Sequence, residues 1–465
     1  MTTEAALTNA LAGLTPEQRA RLTLELARRK ALKNPAITRR PRTEGTENAF
    51  PASPGQERLW YLHALEPDST AYVLPIVLRL TGAVDVAALQ DALGALVARH
   101  EVLRTVFRED AEGAVQQIVL PADRVPLPVT GLPAGTGEEE LFARVRADVS
   151  LPFDMAHGPL VRASLLRRTE TDWTLVLCVH HIVVDGWSLG VLVGELAEMY
   201  AACSQDRDPL LPELPVQYAD FAVWQREWLS GERLEKQLAY WRGRLEGAAV
   251  LDVPGDRPRP PAQTSAGDSV PVTLPPELVA RLTRLVEGES ATLFMGLLGA
   301  FSAVLGRWSG QSDVVVGTAV AGRTRTELEP LVGFFVNTLA LRMDVGGGIS
   351  FRELVRRARE SSLEAFAHQD VPFERIVQEL GVDRTGGHPP VVQVMLALRN
   401  VPMQPPTLGA LGVEVVELPR EVAQLDLSVE LVPDADGALV GALEFSSELY
   451  DRVTAERLVE GVVAL

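Results

Sequence analysis

Cysteine and positive charge are both scarce in this chain of 465 residues. Only two cysteines occur, Cys178 and Cys203, which are too few for a disulfide framework or a cysteine-rich metal cluster. The chain has 44 Lys and Arg against 62 Asp and Glu, so its formal net charge is −18. An excess of negative charge disfavours binding to the phosphate backbone of nucleic acid. We therefore expect no metal site and no nucleic-acid partner.

A hydrophobic run long enough to cross a membrane is also missing. The longest uncharged apolar stretch, residues 291–306, has sixteen residues and contains three glycines. A bilayer span needs about 20 apolar residues, so this stretch is typical of a buried helix. The first residues, MTTEAALTNALAG, lack the basic start and the apolar core of a secretory signal. The sequence predicts a cytoplasmic protein that does not contact a membrane.

The overall composition, 46% hydrophobic and 23% charged residues, is typical of a globular protein. Strand patterns alternate with helix patterns in both halves, which indicates an α/β class with two similar lobes. The predicted strands cover residues 72–80, 173–179, 269–274 and 313–319, and the predicted helices cover residues 86–100, 187–202, 218–245, 276–287, 291–308 and 351–368.

The chain divides into three predicted segments. Residues 1–45 form a basic helix and linker, because residues 1–42 carry nine Lys and Arg against three Asp and Glu. A proline-rich stretch near residue 215 separates an N-terminal lobe, residues 46–215, from a C-terminal lobe, residues 216–465. The basic helix either caps the main body or docks on an acidic partner.

Two of the seven histidines are adjacent, and they directly follow an apolar predicted strand. Neighbouring residues in a strand point to opposite faces, so one of His180 and His181 enters the interior while the other lines the facing space. Asp185 and Gly186 follow in the turn before a helix, where a carboxylate can orient a ring, cap the helix or pair with a buried arginine. The histidines can be core residues, metal ligands or catalytic groups. The metal alternative lacks an HExxH pattern, and a serine hydrolase would need a GxSxG pattern that is missing here.

The histidine pair belongs to a segment, residues 180–188 (HHIVVDGWS), that matches the HHxxxDG motif of the condensation domains of nonribosomal peptide synthetases. Further segments resemble motifs of the same family in the same order, with Gly55 where alanine is usual. They are residues 53–62 (SPGQERLWYL), 99–107 (RHEVLRTVF), 152–160 (PFDMAHGPL), 218–225 (YADFAVWQ), 317–342 (GTAVAGRTRTELEPLVGFFVNTLALR) and 368–374 (HQDVPFE). The resemblance covers residues 50–465.

The opening motif and residues 317–323 look like the subtype that joins an L-configured donor to an L-configured acceptor. Cyclisation domains carry two aspartates in place of the histidine motif, epimerisation domains differ around it, and starter domains differ in the opening motif. The resemblance implies two chloramphenicol-acetyltransferase-like lobes in a V-shaped pseudodimer, with the histidine motif near the middle of a central tunnel.

The resemblance also implies a reaction and its partners. Donor and acceptor are thioesters on the phosphopantetheine arms of two carrier proteins, and the acceptor amine attacks the donor carbonyl to form an amide. The domain itself binds no cofactor, and an adenylation domain can lie next to it. The family's catalytic position falls on His181, as a base or as a positioning group, because a neutral imidazole suits proton transfer near pH 7. His180 is expected to pack behind it.

The resemblance gives the neighbouring residues supporting roles. The Gly186 N–H, at a helix start, can polarise the thioester oxygen. Asp185 is expected to form a structural ion pair with Arg104, or with Arg99 as the second choice.

Three further residues are candidates for the tunnel wall. Trp187 and Ser188 follow the motif directly, although core packing is the preferred expectation for Trp187. Asn337 is polar within an apolar run, so it is either a satisfied core amide or a tunnel contact.

Two alternatives remain beside the catalytic domain of a larger synthetase. One is a free-standing condensation enzyme that forms an ester or an amide on a carrier-bound substrate. The other is a silent relative that only recruits another enzyme. Such relatives tend to lose the histidine motif, which is intact here. The chain ends within a predicted helix, which favours a piece of a larger synthetase.

Overall fold

The computed structural model describes residues 35–133, 135–261, 264–381, 387–399, 407–416, 418 and 421–465. The basic helix predicted within residues 1–34 lies outside the described residues, so its docking role stays a prediction.

The first half of the described chain alternates strands with four helices. Its strands are β1 (Asn48–Pro51), β2 (Val73–Thr81), β3 (Thr105–Glu109), β4 (Val115–Val119), β5 (Val129–Gly131), β6 (Val161–Arg167) and β7 (Asp172–His180). Its helices are α1 (Pro54–Leu65), α2 (Val86–Arg99), α3 (Glu138–Val149) and α4 (Gly186–Ser204).

The second half repeats this alternation. Its helices are α5 (Tyr218–Trp228), α6 (Gly231–Leu245), α7 (Pro276–Gly288), α8 (Leu293–Ser309), α9 (Phe351–Ala367), α10 (Phe373–Leu380) and α11 (Arg452–Ala464). Its strands are β8 (Gly267–Leu274), β9 (Asp313–Val320), β10 (Asn337–Asp344), β11 (Val394–Leu398), β12 (Gly412–Val415), β13 (Leu427–Pro433) and β14 (Leu439–Ser446).

Each half builds one large sheet. The first sheet has the strand order β12-β2-β7-β6-β5, and the second has the order β10-β9-β11-β13-β14-β8. A small third sheet, β1-β4-β3, lies beside the first. Strand β12 comes from the second half but pairs antiparallel with β2, so the second half supplies an edge strand to the first sheet. Strand β7 is buried along almost its whole length, which explains its continuous apolar sequence.

Two clusters of buried hydrophobic side chains underlie the two large sheets. The first cluster contains the strands of the first sheet, and it also takes in α5 residues such as Phe221 and loop residues such as Phe335. The second cluster begins at Leu238 and continues to Leu458. The two halves are therefore interlocked, and the lobe boundary near residue 215 stays a prediction.

The single helix predicted over residues 218–245 is wrong. The chain forms two helices, α5 and α6, separated by Leu229 and Ser230. Gly231 begins α6 with a φ of 56°, a left-handed conformation that glycine adopts without steric cost. This turn ends α5 and starts a new helix direction. The other predicted helices and strands within the described residues are present, with ends shifted by a few residues.

The linker predicted at the end of residues 1–45 makes specific contacts with the body of the protein. Residues 35–47, which we term the N-terminal strap, have no regular hydrogen-bonded structure but are fixed to the body. The Arg42 guanidinium lies 2.9 Å from Asp220 and 2.8 Å from Glu101, two buried carboxylates. The Trp224 indole N–H donates to the Pro35 carbonyl at 2.9 Å. The strap therefore neutralises buried charge, which an unattached linker cannot do.

None of the described helices is, on its own, both long enough and apolar enough to cross a membrane. Helices α7 and α8 would meet the length and composition test only as a pair, and they are bent by 102° at the break between them. Helix α8 contains the long apolar stretch of the sequence, and most of its residues are buried in the second cluster.

Candidate active site

The histidine motif begins where strand β7 ends. The backbone N–H of His180 donates to the Leu160 carbonyl at 3.0 Å, and the N–H of His181 donates to the Tyr72 carbonyl at 2.8 Å. One short 3₁₀ turn, His181–Val183, then leads to α4. Backbone bonds to the chain on both sides of β7 therefore hold the two histidines in a fixed register.

His180 lies in the interior. Its Nδ1 accepts a hydrogen bond from the Ile182 N–H at 3.1 Å, so this nitrogen carries a lone pair. The rings of Phe153 and His63 lie edge-on to it, with centroids 6.0 Å and 6.2 Å away. Burial, with the nearby His181 and His63, lowers the pKa of His180 from 6.5 to about 3. The side chain is therefore neutral near pH 7.

This burial predicts a pH dependence of stability. Between pH 6.5 and 3 the unfolded chain binds a proton on His180 that the folded chain does not bind. The stability gained from the neutral ring is therefore lost as the pH falls below 6.5, by up to about 1.4 kcal/mol per pH unit. The His180→Asn variant keeps an acceptor for the Ile182 N–H but cannot titrate. We expect its free energy of unfolding, measured at pH 7 and pH 5, to fall less than that of the wild type.

Equal slopes in the wild type and in His180→Asn would contradict the buried, neutral state of His180.

His181 has the opposite environment, because its side chain is partly exposed. Its Nδ1 lies 2.7 Å from the Val184 carbonyl oxygen. A carbonyl can only accept, so Nδ1 carries the proton and Nε2 carries the lone pair in the neutral ring. The ring of Phe334 meets the imidazole at 88°, with centroids 5.1 Å apart. The fold thus fixes the tautomer that can take a proton at Nε2.

Asp185 is fully buried and forms both a helix cap and an ion pair. Its Oδ1 accepts from the Ser188 N–H at 2.9 Å, which caps α4. Its Oδ2 accepts from the Arg323 guanidinium at 2.8 Å and from the Phe335 N–H at 2.9 Å. Arg323 lies after β9 in the second half, so the motif turn is tied to the other half of the chain.

The predicted pairing of Asp185 with Arg104 is wrong, and so is the second choice, Arg99. The Arg104 guanidinium donates to the carbonyl of Leu120, just beyond β4. Arg104 stands where β3 begins, so its side chain serves the neighbouring strand of its own small sheet. Arg99 pairs with Glu195 at 2.9 Å. Both guanidiniums are therefore engaged elsewhere.

Ser188 does not line a tunnel, contrary to the prediction. Its side chain is fully buried, with 0% exposure. Its Oγ donates to Asp185 Oδ1 at 2.7 Å and accepts from the Arg323 guanidinium at 2.7 Å and from the Gly333 N–H at 3.0 Å. Ser188 is thus part of the polar network around Asp185.

Trp187 and Gly186 lie on an open surface at the start of α4. Trp187 is 48% exposed, so it is not a core residue, and its indole N–H donates to the Glu329 carbonyl at 3.0 Å. A Cβ placed on Gly186 would meet no atom within 4 Å. Packing therefore does not require glycine there. The Gly186 N–H is at the first helical position, where intrahelical hydrogen bonding cannot satisfy it.

Asn337 is a satisfied structural amide. Its Nδ2 donates to the carbonyls of Gln369 at 3.0 Å and Val371 at 2.7 Å. Its Oδ1 accepts from the N–H groups of Thr338 and Phe373, each at 3.0 Å. Three of these four hydrogen bonds hold the HQDVPFE segment, which supports the alternative of a satisfied amide, and a tunnel contact of this side chain stays a prediction.

Within the described part of the chain, no group of three or more His, Cys, Asp or Glu side chains is arranged so that it could hold a metal ion.

This chain resembles known proteins in both sequence and structure. The family model described as "Condensation domain" matches residues 46–465. The chain belongs to the condensation domain family. A linear gramicidin synthase protein of Brevibacillus parabrevis is 44% identical over 434 residues, which cover 92% of this chain and 6% of that protein. The chain therefore spans only a small part of the length of this relative.

Solved structures support the same family. The X-domain in the complex of the X-domain and OxyB from teicoplanin biosynthesis is 32% identical, with a TM-score of 0.83, and the match covers 93% of this chain and 95% of that chain. The first condensation domain of the CDA synthetase is 23% identical, with a TM-score of 0.75, and the match covers 90% and 96%. The predicted two-lobed, chloramphenicol-acetyltransferase-like α/β fold is confirmed.

Condensation domains of nonribosomal peptide synthetases are acyltransferase-type enzymes, so the predicted enzyme class is confirmed. The family match supports peptide-bond formation in general and a place in secondary-metabolite biosynthesis. The gramicidin synthase relative is much longer than this chain, and one solved neighbour is a four-domain nonribosomal peptide synthetase.

Two residues of the site were not singled out by sequence reasoning, although both lie in one of the motifs given above. Arg323 and Phe334 belong to residues 317–342. A signal for Arg323 was present, because Gly322 precedes it at the end of a buried strand. A Cβ on Gly322 would lie 2.0 Å from the Phe335 carbonyl, so only glycine permits this approach.

Proposed function

We propose that this condensation domain joins the acyl or peptidyl thioester of a donor to the amine of an acceptor aminoacyl thioester. Both substrates are carried on the phosphopantetheine arms of carrier proteins, and the domain itself contributes no cofactor. The observation that carries the proposal is the tautomer of His181. Its Nδ1 proton is committed to the Val184 carbonyl, which leaves the lone pair on Nε2 to meet the amine.

A strong base is not needed before the amine attacks, because the amine does not have to be deprotonated first. An α-amine has a pKa near 8, so a useful fraction is neutral near pH 7. The amine nitrogen bonds to the donor carbonyl carbon, and its proton becomes acidic as the bond forms. His181 Nε2 takes or orients that proton, and the imidazolium can return it to the thiolate when the carbon–sulfur bond breaks. The products are an amide on the acceptor carrier and a free thiol on the donor carrier.

The start of α4 supports the developing oxyanion. The Gly186 N–H stands at the positive end of the helix and has no intrahelical acceptor, so it can donate to the thioester oxygen. Trp187 offers a half-exposed indole at the same opening and can line the substrate path. His180 contributes packing rather than proton transfer, because its ring is buried and neutral.

We expect the L-donor and L-acceptor subtype, because residues 53–60 (SPGQERLW) and residues 317–323 (GTAVAGR) resemble the motifs of that subtype. The partners in this proposal are a donor carrier protein, an acceptor carrier protein and an adjacent adenylation domain.

Single-turnover mass spectrometry with two loaded carriers tests the function. We expect the mass of the acceptor carrier to rise by the donor acyl group, and the donor carrier to return to its free thiol. Donors of L and D configuration, offered in parallel, test the subtype. An acceptor that carries a hydroxyl in place of the amine tests the ester-forming alternative. No transfer to any acceptor, with folded protein and loaded carriers, would contradict the proposal.

Recruitment of another enzyme is the second candidate function. It is favoured by the similarity to the X-domain that was solved together with OxyB. In this alternative the surface matters and His181 does not. The transfer assay separates the two, because a pure recruitment domain would leave both carriers unchanged.

A further inference from the structure

Gly55 stands where the family usually has alanine, and its backbone lies close to the ring of Phe334. Gly55 lies in the first turn of α1. A Cβ built there would stand 2.8 Å from Cε1 and 3.0 Å from Cδ1 of Phe334. Real Cβ atoms essentially never approach so closely, so any side chain at this position would displace the Phe334 ring. The Phe334 ring therefore packs directly against the backbone of Gly55.

The backbone of Phe334 is held by a chain of hydroxyls. The buried Tyr218 hydroxyl donates to the Phe334 carbonyl at 2.7 Å. Because its single proton is used there, the Ser53 Oγ, 2.8 Å away, donates to the Tyr218 oxygen. Ser53 is the cap of α1 and accepts from the Gln56 N–H at 3.2 Å. The start of α1 and the Phe334 backbone are therefore fixed relative to each other.

The other neighbour of the Phe334 ring is His181. Phe334 is 9% exposed, and its ring meets the imidazole edge-to-face at a centroid distance of 5.1 Å. The Nδ1 bond to the Val184 carbonyl holds one edge of the imidazole, and the Phe334 ring limits its tilt. The same ring contacts both Gly55 and His181, so a shift at one contact changes the other.

We propose that Phe334, seated against the bare backbone of Gly55, is a positioning residue that sets the orientation of the His181 imidazole. This inference rests on the proposed function, since it concerns how His181 meets the amine. It connects the opening motif, the YADFAVWQ segment through Tyr218, and the second-half motif to the catalytic histidine. An added Cβ at residue 55 acts on His181 without touching it.

The first variant is Gly55→Ala, assayed in the full chain with both loaded carriers. We expect kcat to fall about 10- to 100-fold, because small misplacements of a reacting group carry penalties of that order. KM for the acceptor carrier should stay within about twofold, because the change acts on the orientation of His181 rather than on the binding of the carrier. The control is Gly94→Ala in α2, where a Cβ would meet nothing within 4 Å, and its kcat should equal that of the wild type.

The second test removes the ring itself. We expect Phe334→Leu to lower kcat, because the imidazole loses the ring that limits its tilt, and Gly55→Ala/Phe334→Leu to lower kcat no further, because the added Cβ acts only through that ring. A loss caused only by general destabilisation would instead deepen in the double variant. The thermal midpoint of each variant, measured in parallel, separates these two results.

A spectroscopic measurement reports on the ring contact without any reaction. Histidine labelled with ¹³C at Cε1 gives one signal per histidine, and His181→Ala identifies the signal of residue 181. We expect Gly55→Ala to shift this signal through the changed ring current of Phe334, while Gly94→Ala leaves it in place. If the wild type transfers no acyl group, the proposed function is contradicted. The His181 signal still tests whether the Phe334 ring sets the orientation of the imidazole. Unchanged kcat and an unchanged His181 signal in Gly55→Ala would overturn the inference.

Discussion

Replacing His181 by alanine should reduce the single-turnover rate of amide formation by about 10²- to 10⁴-fold, which is the usual contribution of a general acid–base group. The variant loses the Nε2 lone pair that the Val184 contact prepares for the amine proton. Folding should be almost unaffected, because the side chain is partly exposed and its Nδ1 bonds to a carbonyl of the adjacent turn. The rate is measured with loaded carriers and the stability by thermal unfolding.

Two further substitutions separate proton transfer from positioning. His181→Asn can still donate to the Val184 carbonyl but has no atom at the place of Nε2, so we expect it to be as slow as alanine. His181→Gln reaches farther and can accept a hydrogen bond from the amine but cannot take its proton. Recovery of most of the rate in His181→Gln would assign His181 a positioning role.

His180 provides the internal contrast to this experiment. Its ring is buried, so truncation to alanine leaves a cavity and an unpartnered Ile182 N–H. We expect lower stability with a smaller direct effect on the chemistry. Full activity of well-folded His181→Ala would remove His181 from the mechanism, whatever the result for His180.

The local part of this site could be predicted from the sequence because it depends on neighbours along the chain. A buried apolar strand followed by two histidines fixes one ring inside and the other outside, since alternate residues of a strand face opposite ways. The helix after Asp185 could be predicted in the same way, from the capping preference of aspartate. The ordered motifs then gave the family and the two-lobed fold.

The partner of Asp185 could not be predicted, because ion pairs between distant segments leave no local trace. All three arginines lie in recognised motifs, but Arg323 is 138 residues away from Asp185, whereas Arg104 and Arg99 are nearer in sequence. The pairing of β12 with β2 was missed for the same reason, since a four-residue edge strand from the other half shows only a weak pattern. Ser188 was misplaced because it directly follows the motif, although its hydroxyl is turned inward to Arg323.

The Asp185–Arg323 pair leads to the largest expected effect on stability. Both side chains are almost completely buried, with 2% and 1% exposure, and the carboxylate also caps α4 and accepts from the Phe335 N–H. Asp185→Ala would leave the guanidinium buried without a counter-charge. Breaking one partner of such a pair costs about 3–5 kcal/mol. We therefore expect Asp185→Ala to lower the free energy of unfolding, measured by chemical denaturation, far more than His181→Ala.

The control is an ion pair of the same residue types on the surface. Asp91 and Arg124 lie 2.7 Å apart, but both side chains are largely exposed, so Asp91→Ala should cost at most about 1 kcal/mol. A double-mutant cycle with Arg323→Ala isolates the coupling between residues 185 and 323, which should be favourable because the two groups share contacts. If Asp185→Ala is as stable as Asp91→Ala, the buried pair does not hold the motif turn to the second half of the chain. We expect the loss of activity in Asp185→Ala to match its loss of folded protein. Asp185 lies behind the turn that carries His181, and its buried side chain has no open face toward a substrate.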